Sequence, residues 1–150
     1  MKKKIGLLLI ILIALILLLI RFIPNEKTRL VNDIKKMKNA VEKENRSDLL
    51  IYIDSTYQDQ KGAAYQDIIA IIDGLFNDYD SINVVMKDLQ VNIDSTKDGT
   101  FFGSCSLGLR VFVRYQGELM LVYGGVIQPA PVRGCFRKTS EHYQLYSANY

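Results

Sequence analysis

Five side chains between Asp54 and Asp67 are the part of this sequence best equipped to move protons. Asp54, Tyr57, Asp59, Tyr65 and Asp67 bring three carboxyls and two phenols into one short stretch. A carboxyl withdrawn from water in such a cluster gains a raised pKa and can act as a general base, with a phenol or second acid as its partner. The competing reading is that Asp59 and Asp67 flank a polar loop, where acids are ordinarily solvated. Other catalytic arrangements are missing. The single histidine, His142, falls in a turn, and a metal site needs three or four clustered ligands. Gly124-Gly125 lies inside a strand pattern, so it reads as a bulge or close packing rather than a phosphate loop. There is no G-x-S-x-G elbow. The residues thus ask for no metal and no cofactor, and catalysis is the second reading of the chain.

The elements that would position this cluster follow from hydrophobic periodicity. Asn25 reads as an N-cap, and Leu30, Ile34, Met37 and Val41 then recur at helical spacing. Ser47 is expected to cap a second, shorter helix through Ile53. After a polar break over Gln58–Gly62, residues Ile68 to Tyr79 carry a wide apolar stripe, a third helix. From about Ser81 the period changes to two. The parity flips at Lys87-Asp88, which predicts a bulge, and Lys97-Asp98-Gly99 predicts a turn. A long strand through Cys105–Tyr115 turns at Gln116-Gly117 into a strand over Leu119–Ile127, ended by Pro129-Ala130-Pro131. Val132–Lys138 and Tyr143–Tyr150 form a last hairpin around Thr139-Ser140-Glu141. Helices first and consecutive strands after them mean α+β, with an antiparallel meander.

Ahead of this domain stands a different kind of segment. No polar side chain occurs from Ile5 to Ile20, and only Arg21 interrupts the run to Ile23. At 1.5 Å per residue such a helix is about 28 Å long, enough for the hydrocarbon core of a bilayer. The exit is bulky, without the small residues of a cleavage site, so residues 1–23 read as an uncleaved anchor and residues 24–150 as the domain. The formal net charge is +3. Removing Lys2, Lys3, Lys4 and Arg21 leaves −1 for residues 22–150, which argues against nucleic acid as a partner. A bare count of Lys and Arg would put the domain in the cytoplasm. The short basic start before an apolar core points the other way, and the reading adopted is a domain outside the cytoplasm, periplasmic or at the cell surface.

Three helices followed by a strongly bent sheet resemble the nuclear transport factor 2-like (SnoaL-like) superfamily. The tail carries most of the likeness. Val132-Arg133-Gly134-Cys135-Phe136-Arg137-Lys138, a polar turn and Tyr143-Gln144-Leu145-Tyr146 are similar to that superfamily's closing hairpin, with Tyr143 where a tryptophan is usual. Ser47-Asp48-Leu49-Leu50 followed by Tyr57 resembles its second helix. The resemblance implies a cone-shaped α+β domain. Enzymes of this fold isomerise or dehydrate inside the cone with a carboxylate base, for which Asp54, Tyr57, Asp59, Tyr65 and Asp67 are the candidates. The short hairpin that many members place between helices two and three has little room in residues 58–65.

The expectation is therefore a single-pass membrane protein whose cone serves protein or ligand contact without catalysis. The alternatives are an isomerase- or dehydratase-type enzyme acting on a small apolar substrate, and an accessory or bridging subunit of a membrane or secretion complex. Expected partners are the membrane through residues 5–23, a protein or a second copy, and a small apolar ligand. Among the nine tyrosines, Tyr115, Tyr123, Tyr143 and Tyr146, with Tyr150, fall in strands, where their rings suit a pocket lining or an interface. Strand propensity accounts for them equally. The two cysteines are expected to be free. In a simple meander a strand separates Cys105 from Cys135, about 9.6 Å, beyond the roughly 7 Å a disulfide can bridge.

Overall fold

The computed structural model describes residues 11–13 and 25–150. Among these no helix is long and apolar enough to cross a membrane. The expected span, Ile5–Ile23, lies outside the described residues apart from residues 11–13, which are helical.

Helix α1 (Glu26–Glu42) starts where the Asn25 side chain accepts from the Thr28 N–H at 2.8 Å, which satisfies one of the orphan donors of the first turn. Its apolar face, with Leu30 and Ile34 buried, lies along the concave side of the sheet. Helix α2 (Arg46–Leu50) is capped by Asn45 rather than Ser47. Asn45 Oδ1 accepts from the Asp48 N–H at 3.2 Å and from the Ser47 hydroxyl at 2.8 Å, so the serine supports the cap instead of forming it. Helix α3 (Tyr65–Asp78) buries Ile72 against α1 and α2, and Arg46 pairs with Asp73 at 2.6 Å. Between α2 and α3 the chain makes an isolated antiparallel bridge, Gln58 to Ala64.

Five antiparallel strands follow: β1 (Ser81–Lys97), β2 (Thr100–Tyr115), β3 (Glu118–Tyr123), β4 (Ala130–Thr139) and β5 (His142–Asn149). The bulge lies where the parity flips, with the β1–β2 register shifting between Lys87 and Gln90 and Asp88 at a φ of 53°. Asp98 and Gly99 both have positive φ, as do Gln116 and Gly117, the backbone that two-residue hairpins require. Gly103 is a point of close approach to α1. A Cβ there would stand 2.7 Å from Leu30 Cδ2 and 3.0 Å from the Asn92 carbonyl oxygen.

The simple meander is wrong. β2 is long enough to hold two partners end to end on one edge. Its first half pairs β4, from Phe102 with Arg137 to Leu109 with Ala130, and its last five residues pair β3. β3 stops at Tyr123 instead of reaching Ile127, because Gly124 turns at a φ of 86°. Arg110 then donates to the carbonyls of Gly125, Val126 and Ile127, which fixes this loop with Val126 and Ile127 facing solvent. Pro131 lies within β4 rather than ending a strand, at a level where β5, whose last partner is Arg133, no longer runs alongside.

The revised order also changes why the two thiols are free. Cys105 pairs with Gly134 and Cys135 with Ser104, so the cysteines sit on adjacent strands, offset by one residue. Successive side chains point to opposite faces, so the sheet itself separates the two sulfurs.

Candidate functional site

The concave face of the sheet, α1 and α2 line a cavity of about 200 Å³ that opens to solvent. Ile34, Met37, Lys38 and Val41 of α1 and Leu49 of α2 form one wall. The strands supply Val84 and Met86, then Cys105, Leu107 and Leu109, then Val132, Gly134 and Phe136, and finally Leu145 and Ala148. The space exists because small residues meet in register. Cys105 pairs with Gly134, and Gly134 with Ala148, giving one row across β2, β4 and β5 whose side chains leave the floor low. The floor is also tightly packed at this point: a Cβ on Gly134 would lie 2.9 Å from Phe136 Cε2 and 3.0 Å from Leu145 Cδ1. Burial pushes the Cys105 thiol up, away from the thiolate form that reacts.

No acid, phenol, hydroxyl or imidazole lines this space, and Lys38 is its single charged side chain. General acid–base chemistry on a bound molecule needs a proton-transfer group within hydrogen-bond reach, and the two side chains here that could serve are a thiol that burial pushes up and a lysine held by Glu42. The cavity offers apolar burial instead.

The sequence-predicted acids lie elsewhere, along the seam where residues 52–60 run beside β5. There the Asp54 N–H donates to the Leu145 carbonyl at 3.0 Å, the Leu145 N–H to Tyr52 at 2.8 Å and the Gln58 N–H to Tyr146 at 3.1 Å. Asp54 is 1% exposed. Arg137 donates to both of its oxygens, with Nη2 to Oδ1 at 2.8 Å, and the Thr56 N–H and hydroxyl donate at 2.8 and 2.7 Å. Burial alone would raise this carboxyl, but Arg137 and Thr56 together hold it below the ordinary aspartate range. A carboxylate so bound is a weak base. Asp59 is held down first by the Tyr150 hydroxyl, which donates at 2.7 Å, and further by the N–H groups of Lys61 and Ala63. Tyr57 is buried in the α1–α2–α3 core, where burial raises its phenol to about 12. Asp67 accepts from the Ala64 N–H at 2.8 Å at the start of α3, and Tyr65 packs on the same core from outside. The cluster therefore does not converge on the cavity.

None of the four strand tyrosines lines the cavity either. Tyr143 is wholly buried beneath the start of α1. Its hydroxyl donates to Glu26 at 2.9 Å and its N–H to the buried Asp33 at 2.9 Å. Tyr146 falls in the β4–β5 bulge after Cys135, which turns it to the outer face against Phe102, with ring centroids 6.3 Å apart. Tyr115 stands half exposed beside Tyr79, and Tyr123 pairs with Val111 at the end of β3. His142 is not merely solvated. Its ring meets Tyr52 edge-on at 5.3 Å, and Nδ1 lies 3.8 Å from Asp33. Among the described residues no group of three or more His, Cys, Asp or Glu side chains is placed to hold a metal.

What sequence reasoning missed is Ala148, Gly134 and the lining methionines Met37 and Met86. Their signal is the small–small register row, which appears only once β2 is known to pair β4.

No family model matches the chain, and no curated protein matches it in sequence. Solved structures do match. The helical cell shape determining protein Pgp2 of Campylobacter jejuni superposes with a TM-score of 0.62 at 8% identity over 78% of this chain. This chain spans 38% of that protein's length. A protein described as a dehydratase of the NTF2-like family, from Streptomyces avermitilis, gives 0.62 at 12% identity, covering 82% of this chain and 92% of its own. One described as a scytalone dehydratase, from Novosphingobium aromaticivorans, gives 0.60 at 9% identity, covering 79% and 80%. Identities this low carry architecture and nothing of activity. What the chain has in common with these proteins is the NTF2-like cone, an α+β fold of helices on a curved antiparallel sheet.

Proposed function

We propose that this chain is a membrane-anchored, non-catalytic binding module, displayed outside the cytoplasm, whose cone takes an apolar ligand. One observation carries the reading: a cavity of about 200 Å³ with an apolar lining and no carboxyl, phenol or imidazole, whose one charged side chain, Lys38, is paired with Glu42. A cavity of about 150 Å³ with such a lining stays dry and admits benzene-sized molecules. The anchoring half rests on the apolar run from Ile5 to Ile20. The exposed Leu119, Met120 and Val122 on β3, which pairs only β2, leave room for a protein partner or a second copy.

Two measurements test this. Toluene added to the full chain in nanodiscs should perturb the methyl resonances of Met37 and Met86 saturably. Ala148→Leu, which fills the floor, should abolish the effect, and an unchanged wild-type spectrum at saturating toluene sinks the ligand reading. Protease applied to intact spheroplasts should remove the domain, whereas full protection would reverse the orientation. The second reading, an isomerase or dehydratase, is favoured by the dehydratase description of two fold neighbours. It would be revived if a ligand recovered with the chain were a β-hydroxy carbonyl compound that the chain then dehydrates.

A further inference from the structure

The lining has one charged side chain. Lys38 contributes its apolar stem to the α1 wall, and the side chain is partly exposed to water. Glu42, one turn further along α1, accepts from the Lys38 ammonium at 2.6 Å. Glu42 in turn is fixed by β1, accepting from the Val84 N–H at 2.9 Å and from the Asn83 amide at 3.4 Å. Burial would raise the Glu42 carboxyl, but Lys38 and the Val84 N–H bring it below its usual range, so it is a carboxylate at neutral pH. The rim thus carries one positive and one negative charge in contact. It can donate and accept hydrogen bonds, and it has no net charge to neutralise an ion.

Resting on the reading of the cone as an apolar binding site, we infer that its ligand class is a single-chain amphiphile with an uncharged hydroxyl head. The chain enters the cavity and the head lies between Lys38 and Glu42. An ammonium has three donors, of which Glu42 takes one, so a head oxygen can accept from Lys38 while its hydroxyl hydrogen is donated to Glu42. A carboxylate head would gain the same donor but would meet Glu42 with like charge and no hydrogen to offer. Length follows from volume. A methylene needs about the roughly 30 Å³ share of a water molecule, so the cavity holds roughly six to eight carbons. Met37 and Met86, flexible thioethers on opposite walls, suit a chain that must adjust to an irregular space.

The test uses the full chain in nanodiscs with methyl-labelled methionine, titrated at pH 8 with 1-octanol, sodium octanoate and toluene. Met37 and Met86 report the cavity, and Met120, exposed on β3, reports nonspecific partitioning. Octanol should shift the two cavity methyls saturably, at least tenfold more tightly than octanoate, with Met120 unmoved. Glu42→Gln keeps an acceptor for the Val84 N–H and leaves the rim with a net positive charge. In that variant octanoate should gain until the preference falls below about threefold. Octanoate binding wild type as tightly as octanol overturns the neutral-head inference and leaves the apolar site standing. So does toluene binding without octanol. Silence from all three compounds, or equal shifts at Met120, overturns the ligand reading itself.

Discussion

The cavity under α1 and the seam beside β5 lie back to back across the last hairpin, and they are built of opposite materials. The cavity takes Leu145, Ala148, Gly134 and Phe136 from the inner face of that hairpin, and apart from Lys38 its walls offer a ligand hydrocarbon and sulfur. The seam takes Arg137 from the outer face, together with main-chain groups of β5, and binds them to Asp54, Thr56 and Gln58. Of the 54–67 stretch, Asp54 and Asp59 are on the seam, Tyr65 and Asp67 at the start of α3, and Tyr57 in the helical core. The comparison separates two properties that a sequence presents together. Carboxyls close to a cone are not carboxyls inside it, and a buried acid with four donors aimed at it serves the fold.

Breaking the seam should therefore hurt stability and leave the cavity alone. Asp54→Ala removes the acceptor of Arg137, the Thr56 hydroxyl and the Thr56 N–H. Loss of one partner of a fully buried pair costs about 3–5 kcal/mol. Arg137 is partly exposed and can turn to water, so a cost of about 2–3 kcal/mol is expected, read as a fall in Tm of roughly 10 °C. Once the variant is folded at low temperature, the toluene response of Met37 and Met86 should match wild type. A stable Asp54→Ala with a silent cavity would invert the assignment of the two regions.

A gentler way to sharpen the contrast is acid. Glu26, Asp54 and Asp59 all have folded pKa values below their ordinary range. Burial works against Glu26, and Lys138 and Tyr143 outweigh it, whereas Asp59 is lowered first by Tyr150. A depressed carboxyl stabilises the fold fully above its unfolded pKa, and that stabilisation is lost as pH falls through the folded value. With unfolded values of about 3.9 for Asp and 4.3 for Glu, the Tm should be flat above about pH 5 and fall progressively below about pH 4. At the alkaline end Tyr57 keeps its proton to about 12. Its contribution is complete below about pH 10, the unfolded value, and is lost between there and about pH 12. A thermal-melt series across pH checks both limbs. An Asp54→Ala chain with an unchanged acid limb would contradict the seam's role.

How much of this was legible in the sequence depends on the distance over which a residue finds its partner. Local chemistry read well: Asn25 as a cap, the bulge at Asp88 and the tight turns at Asp98-Gly99 and Gln116-Gly117 all depend on neighbours within a few residues. The strand order did not, because hydrophobic alternation gives a strand's faces but not how many partners its edge can hold. At sixteen residues β2 holds two in succession. The surroundings of the candidate acids were hidden for the same reason. Asp54 is decided by Arg137 and Asp59 by Tyr150, which are 83 and 91 residues away. Composition near residue 60 says nothing about either partner.

The smallest effect belongs to Asp67, whose partner lies at the start of its own helix. Its carboxylate accepts from the Ala64 N–H at 2.8 Å, which is the return half of a capping box, and Ala64 has no side-chain oxygen to complete the other half. Asp67→Ala should cost about 0.5–1 kcal/mol, a fall in Tm of roughly 2–4 °C. Because α3 contributes nothing to the cavity lining, toluene and octanol responses should not change. Asp67→Asn, which keeps an acceptor but loses the charge at the helix start, should fall between the two. If Asp67→Ala left stability intact but altered ligand response, the acid would be acting on the cavity, and the division between a polar seam and an apolar cone would have to be redrawn around α3.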